Sequence, residues 1–510
     1  MACKYEIQSP RPCALVESLR SVGYSLPTAV ADILDNSIAA HARTIRIDFH
    51  WAGPDSWISI LDDGEGMDEA TLAEAMRPGS ANPLDNRRSD DLGRFGLGLK
   101  TASFSQCRKL SVWSRPTSGA VAGRCWDLDY VAQHDEWRLL KAASRKDIKP
   151  FREFDSLKQG TLVLWEHLDR TVDKSPAASD EAHTRFLRLI EDVRVHLGMI
   201  FHRYLEGSAS LVRSALRITI NGVADSHLVH PWNPFAIDGA PPAKESPTES
   251  MNLGGHRVTV RGYVMPHKDR LNAEQTATGG GPHGWVGQQG FYIYRSDRII
   301  VPGDWLRLGR TRSWAKEEQY KLARLSIDIP NAMDEDWCLD IKKSTARPPA
   351  AIRVRLTDLA EAVRRDARQV FAHRGEYGPR PTGPGIVVEC PWTSTVRSGR
   401  TVYMINRKHP VVAASLKRIG VLAEHVEPML RLIEETVPVE RIWLDTAESA
   451  DERAVPYEGY DEETVLSDIR IACRFLAQST TSTEGLRTYL MATEPFRRYP
   501  ALIERVLLEK

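Results

Sequence analysis

At 510 residues the chain is long enough for about three domains of ordinary size, each with its own core. Apolar residues make up 42 % and charged residues 27 %, which excludes a disordered, collagen-like or coiled-coil chain. Lys and Arg (68) balance Asp and Glu (68), which argues against a protein coated in positive charge but leaves room for a local basic groove.

In chain order, the N-terminal stretch lacks the apolar core of a secretory signal, and no window approaches the length of a membrane span. The seven cysteines are scattered without a CxxC pair, so reduced thiols, a cytoplasmic location and no membrane association are expected. Helical periodicity covers Ala14–Ala40. Alternating stretches then predict strands at Thr44–Trp51, Ser56–Leu61, Lys109–Ser114, Cys125–Tyr130 and Thr161–Glu166, followed by a helix over about 180–205. Residues 231–250 are rich in Pro, Ser and Gly and read as a linker. Extended segments at 256–265, 290–301 and 323–330 predict a small sheet domain closed by a helix near 350–373, and 375–385 reads as a second linker. The rest opens with a hairpin and becomes helical. The predicted domains are thus 1–236, 252–374 and 386–510, in an α/β (α+β) chain.

Four short motifs fall in order within the first 165 residues. In ADILDNSIAAHA, Asp32 and Asn36 stand four apart on a helix and share a face. That suits either an exposed hydrogen-bonded couple, or a base that orients water beside an amide oxygen on Mg²⁺. LDDGEGMD ends a strand with Asp62, where a buried carboxylate could accept from a base's amino group, and Gly64 and Gly66 permit a tight turn. GRFGLGLKTASFS sets Gly93, Gly96 and Gly98 before a helix, so that backbone N–H groups can approach phosphate oxygens, with Lys100 as a point charge or an exposed surface lysine. Its spacing is neither the Walker pattern nor the dinucleotide fingerprint. Finally, QGTLVLWEHL puts Thr161 at the start of a buried strand.

This ordered set of D-x-x-x-N, D-x-G-x-G, G-x-x-G-x-G and a late G-T resembles the GHKL ATPases, the superfamily of DNA gyrase, the ninety-kilodalton heat-shock chaperone, sensor histidine kinases and MutL. The resemblance covers about 14–170 and implies a Bergerat α/β sandwich holding ATP and Mg²⁺. On it, Asn36 ligates Mg²⁺, Asp62 reads the adenine amino group, and Thr161 supports that contact through water. Gly64, Gly66 and Met67 border the adenine; Gly93, Gly96, Gly98 and Lys100 form the phosphate-facing end of a lid. Asp32 is the catalytic carboxylate. Members of the family that act on DNA usually have Glu there, so a side chain one methylene shorter implies slow hydrolysis. Asp35, one residue before Asn36, points about 100° away from it and is not the expected substitute.

Sensor kinases need a phosphoacceptor helix ahead of the ATP domain, for which the residues before Ala14 leave no room. A strand-rich region follows instead, similar to the transducer domains of MORC-like and MutL-like proteins. WCLDIKKSTARPP looks like their lysine loop, with Lys343 the first choice for the γ-phosphate and Lys342 the second; both lysines at the surface is the plainer alternative. A heat-shock-type chaperone is the weaker fit. The expected protein is an ATP-gated homodimeric clamp on DNA, or part of a prokaryotic anti-phage defence or restriction assembly with nuclease- or helicase-type partners. The competing expectation is a slow or non-hydrolysing nucleotide-gated scaffold.

Charge supports a nucleic-acid partner in part: eight basic residues against four acidic ones lie between Arg295 and Arg324, and the helix near 350–373 is Arg-rich. Between Glu434 and Asp468 twelve acidic residues face two arginines, so zero net charge is a cancellation between a basic body and an acidic C-terminal segment.

Overall fold

The protein is described by a computed structural model over residues 10–21, 23–79, 98–141, 148–172, 177, 179–210, 214–339, 345–372, 391–397, 400–439, 442, 456–477, 482–493 and 495–509. It forms two compact units, Met1–Arg368 and Gln369–Lys510, and the first contains two sheets.

The first helical signal resolves into two helices, α1 (Pro12–Arg20) and α2 (Leu26–Ala39). Periodicity alone runs through the break, but Gly23 has φ 79°, and Ser25 accepts a hydrogen bond from the Thr28 N–H to cap α2. Seven strands follow: β1 (Thr44–His50), β2 (Trp57–Asp62), β3 (Lys109–Arg115), β4 (Ala122–Asp127), β5 (Leu140–Lys141), β6 (Gly160–Glu166) and β7 (Arg217–Ile220). Their order is β5-β4-β3-β6-β2-β1-β7, antiparallel except where β7 joins β1. The predicted strand through Tyr130 stops at Asp127, whose carboxylate accepts from the Asp129 and Tyr130 N–H groups and starts α5 (Leu128–His134).

Alternation along β6 sends side chains to both faces of the sheet. Val163 and Trp165 join the main core with α2 residues Ile33 and Leu34. Leu162 and Leu164 meet Phe151 and Phe154 of α6 (Lys149–Ser156) on the other face. The remaining helices of this half are α3 (Glu69–Met76), α4 (Gly98–Phe104), α7 (Asp180–Ile200) and α8 (His202–Leu205), the last two dividing the single helix expected there.

The second sheet contains β8 (Lys244–Glu245), β9 (Glu249–Leu253), β10 (His256–Val264), β11 (Gly290–Arg295), β12 (Arg298–Asp304) and β13 (Ala323–Ile329). Strands β12-β11-β13-β10 run in that order, with β8 and β9 both against β10. The segment 231–250, read as a linker, is folded: it supplies β8, Phe235 stacks on Tyr263 at 4.2 Å, and buried Arg324 donates to the Pro234 carbonyl. Composition hides this, because single aromatic anchors have no period. Tyr292, Tyr294 and Ile299 belong to the same core as Ile33 and Leu34, so the two sheets share one interior. After α9 (Ala273–Gly280) and α10 (Gly284–Gly287), a long helix, α11 (Ala350–Ala372), passes so close to β10 that a Cβ on Gly262 would lie 2.3 Å from Val363.

Three members of the basic run, and one arginine of the long helix, are internal and so are not available as a phosphate-binding surface. Arg295 pairs with Asp334 at 2.7 Å, Arg298 reaches Asp32 and Asp35, and Arg324 donates to the Gly279 carbonyl at 2.8 Å. Arg364 lies over the rings of Tyr320, Trp314 and Trp305. Each guanidinium finds its partner from a distant part of the chain. Arg307, Arg310, Arg312 and Lys316 remain exposed.

The second unit opens with the expected hairpin, β14 (Trp392–Arg397) and β15 (Arg400–Ile405). Helices Pro410–Ile419, Ala423–Glu435, Glu462–Leu476, Thr483–Ala492 and Pro500–Leu508 follow, the last three closing a core around Leu466, Ile469, Leu490 and Ile503. The acidic segment is partly structural here: buried Glu434 accepts from the Ile405 N–H at 2.7 Å and pairs with Arg407. No helix among the described residues is long and apolar enough to cross a membrane.

Candidate functional site

The site is built on the end of β2 and the face of α2 above it. Asp62, the last residue of β2, is 4 % exposed. Its Oδ2 accepts from the Ser37 hydroxyl of α2 at 2.8 Å and its Oδ1 from the Gly64 N–H at 3.0 Å, with the Thr161 N–H a further donor. Burial pushes its carboxyl up to about 6, against the opposing effect of those three donors.

Strand register lines up the neighbours. Asp62 sits opposite Thr161 on β6, and Thr161 opposite Ser114 on β3. The Thr161 and Ser114 hydroxyls are 2.9 Å apart, and Ser114 accepts from the Met67 N–H at 2.8 Å. Sequence reasoning missed Ser114. The signal was available only through register, which carries the end of the predicted strand KLSVWS to the motif threonine.

The glycines of the turn have no room for a side chain. Gly66 has φ 70°, and a Cβ there would come 2.0 Å from the Arg115 carbonyl oxygen; one on Gly64 would meet Ala40 at 2.9 Å. Gly66→Ala is therefore expected to destabilise the protein by about 1–3 kcal/mol or more, read as a lowered thermal midpoint, and to weaken nucleotide binding with it.

On α2 the two motif residues separate by burial. Asn36 is exposed, and its Nδ2 donates to the Asp32 carbonyl at 3.2 Å, a bond that does not use the amide oxygen. Asp32 is 3 % exposed. Its Oδ2 accepts from the Tyr24 hydroxyl at 2.9 Å and its Oδ1 from Arg298 Nη2 at 3.2 Å. Burial, and then the Asp32 charge beside it, push the Tyr24 hydroxyl pKa up, so Tyr24 stays a donor. Asp35, 1 % exposed, lies 2.9 Å from Arg298 Nε.

Gly98 opens α4, and Lys100 is not the exposed surface lysine of the plainer alternative. It is 2 % exposed, and its Nζ donates to the Ala75 carbonyl in the last turn of α3 at 2.8 Å. Burial lowers its pKa to about 8, which leaves it mostly charged at neutral pH. Gly93 and Gly96 of the lid, and Lys342 and Lys343 of the lysine loop, lie outside the described residues.

Among the described residues no cluster of three His, Cys, Asp or Glu side chains could cage a metal. Mg²⁺ binds through one or two protein oxygens plus substrate phosphates, and the exposed amide of Asn36 could supply one such oxygen.

Residues 24–161 match the family of histidine kinase-, DNA gyrase B- and HSP90-like ATPases. The chain is similar to the ATPase morc-1 of Caenorhabditis elegans, 31 % identical over 83 residues, or 16 % of this chain and 9 % of that protein. It is also similar to the DNA mismatch repair protein MutL of Thermus aquaticus, 27 % identical over 224 residues, or 42 % of this chain and 38 % of that protein. The chain thus spans less than two fifths of either relative. Residues 24–161 thus resemble GHKL-type ATPase domains, and MORC and MutL proteins are among the chain's relatives.

Proposed function

We propose that the protein binds Mg-ATP between α2 and the end of β2, hydrolyses it slowly, and uses the nucleotide to open and close a homodimeric clamp on duplex DNA. Its setting is a prokaryotic anti-phage defence or restriction-type assembly with nuclease- or helicase-type partner proteins. The observation that carries the nucleotide reading is the row Asp62–Thr161–Ser114, tied to α2 through the Ser37 hydroxyl, with exposed Asn36 at the adjacent position of that helix.

In this reading the ionised Asp62 accepts a hydrogen bond from the adenine amino group, and Thr161, joined to Ser114, holds a water against the same edge. Gly64, Gly66 and Met67 let the base lie against backbone. Gly98, with Gly93 and Gly96, offers N–H groups to the phosphates, and Lys100 braces the helix carrying them by capping α3. Asn36 holds Mg²⁺, which neutralises charge on the phosphates when bound. Asp32 orients the attacking water and takes its proton. Lys343, or failing it Lys342, reports the γ-phosphate to the second sheet.

The DNA part rests on the repair role in the MutL relative's name and on exposed Arg307 and Arg312. ATP turnover measured with and without duplex DNA across about 50–200 mM salt tests it. Turnover should rise with DNA at low salt and lose that stimulation as salt increases, because each phosphate contact steepens the log–log slope by about 0.9. No DNA binding at any salt removes the clamp on DNA.

A second reading, the nucleotide-gated scaffold, is favoured by one feature: both oxygens of the short Asp32 carboxylate are already engaged. ATP and a non-hydrolysable analogue would then give the same long-lived dimer, whereas a clamp reopens only with ATP.

A further inference from the structure

Arg298 is the first residue of β12, in the second sheet, yet its side chain ends in the ATPase domain against α2. One guanidinium contacts two positions of that helix. Nη2 donates to Asp32 Oδ1 at 3.2 Å, and Nε lies 2.9 Å from Asp35 Oδ1, an ion pair off the hydrogen-bond axis. Asp32 and Asp35 are three residues apart and so neighbour each other on the helix surface. All three side chains are at most 3 % exposed.

The turn that presents Arg298 is itself fixed to α8, the short helix that follows the long α7 in the first half. The Tyr204 hydroxyl donates to the Ser296 carbonyl at 2.6 Å, Arg203 pairs with Asp297 at 3.0 Å and stacks 3.6 Å over the Tyr294 ring, and His202 Nε2 is 2.8 Å from the Tyr294 hydroxyl. A displacement of the second sheet therefore moves the guanidinium that sets the Asp32 carboxylate. Aspartate has a single torsion between Cβ and its carboxyl group, so two anchors, Tyr24 on one oxygen and Arg298 on the other, fix its direction.

We propose that Arg298 is a positioning residue for hydrolysis: it aims the Asp32 carboxylate at the attacking water and makes that aim depend on the second sheet. The inference rests on the proposed role of Asp32. It identifies a coupling element separate from Lys342 and Lys343, because Arg298 acts on the carboxylate and not on the nucleotide.

The test measures ATP turnover and nucleotide affinity of the full chain for wild type, Arg298→Lys, Arg298→Met and Asp32→Asn, alone and combined. Concentrations are corrected for the fraction that binds nucleotide. Arg298→Lys keeps the charge but cannot reach both carboxylates, and should lower kcat about tenfold with KM within about twofold. Arg298→Met should lower it further. Where Arg298→Met does not fold, Arg298→Lys carries the test alone. In the Asp32→Asn background, Arg298→Lys should add no further loss, since both changes remove one function.

Three results overturn the proposal: Arg298→Lys turning over within twofold of wild type, a loss that vanishes after correction for the binding fraction, or losses that multiply with Asp32→Asn. A wild-type protein that binds ATP but never turns it over removes the Asp32 reading itself, and this inference with it.

Discussion

Replacing Asp62 by Asn is expected to weaken ATP binding about 10–100-fold, measured by calorimetric titration of the full-length protein. The carboxylate sits at the end of β2 under Ser37, Gly64 and Thr161, all of which donate to it. A hydrogen bond to a charged acceptor contributes roughly 1.5–3 kcal/mol, which converts to about that range of affinity. Asn must also turn an N–H₂ toward one of the existing donors.

The wild-type protein should show a matching pH dependence. Burial raises the Asp62 carboxyl from 3.8 to about 6 in the free protein, so the raised value favours the protonated form on folding. Its stabilising contribution is complete below about 3.8 and is lost as pH rises through about 6. At neutral pH the ionised group costs the free protein on the order of 3 kcal/mol. Adenine needs that ionised form, so nucleotide and proton compete. Affinity should be constant above about pH 7 and fall up to tenfold per unit below about 6. In Asp62→Asn that slope should vanish, and an unchanged slope would exclude Asp62 as the adenine acceptor.

How much of this was legible in the sequence depends on whether a feature is local. Asp62, Gly64 and Gly66 follow an alternating run directly, so strand, turn and acidic end are written in one stretch of chain. Thr161 opens a strand apolar on both faces, and its place beside Asp62 follows once the two strands pair. Ser114 needed a second pairing, which no local pattern specifies. Arginines are the hardest case. Arg295, Arg298 and Arg324 have the same local appearance as exposed Arg307 and Arg312, and only long-range partners separate them. The same limit hid the role of Asp35. Its direction on α2 was read correctly relative to Asn36, but the guanidinium it shares with Asp32 arrives from a strand more than 250 residues further along the chain. Composition misread residues 231–250 because Phe235 works as a lone anchor on Tyr263 and Tyr292.

Asp32→Asn is expected to reduce turnover about 10²–10⁴-fold while ATP affinity stays within a fewfold of wild type, which is the range for loss of a general base. The substitution is close to isosteric, so its oxygen can still accept from Tyr24 and the helix should keep its place. Its effect on folding is limited by a compensating change: it removes one of two buried carboxylates that share Arg298, leaving Asp35 to pair with the guanidinium. A large loss of kcat without loss of binding would therefore report chemistry and not collapse of the site. The result also decides between clamp and scaffold. In a clamp, Asp32→Asn should trap the ATP-closed dimer, so that ATP behaves as its non-hydrolysable analogue does with wild type. If wild type already gives equal dimer lifetimes with both nucleotides and Asp32→Asn changes nothing, Asp32 is a structural acid held between Tyr24 and Arg298. Nucleotide binding alone would then be the signal.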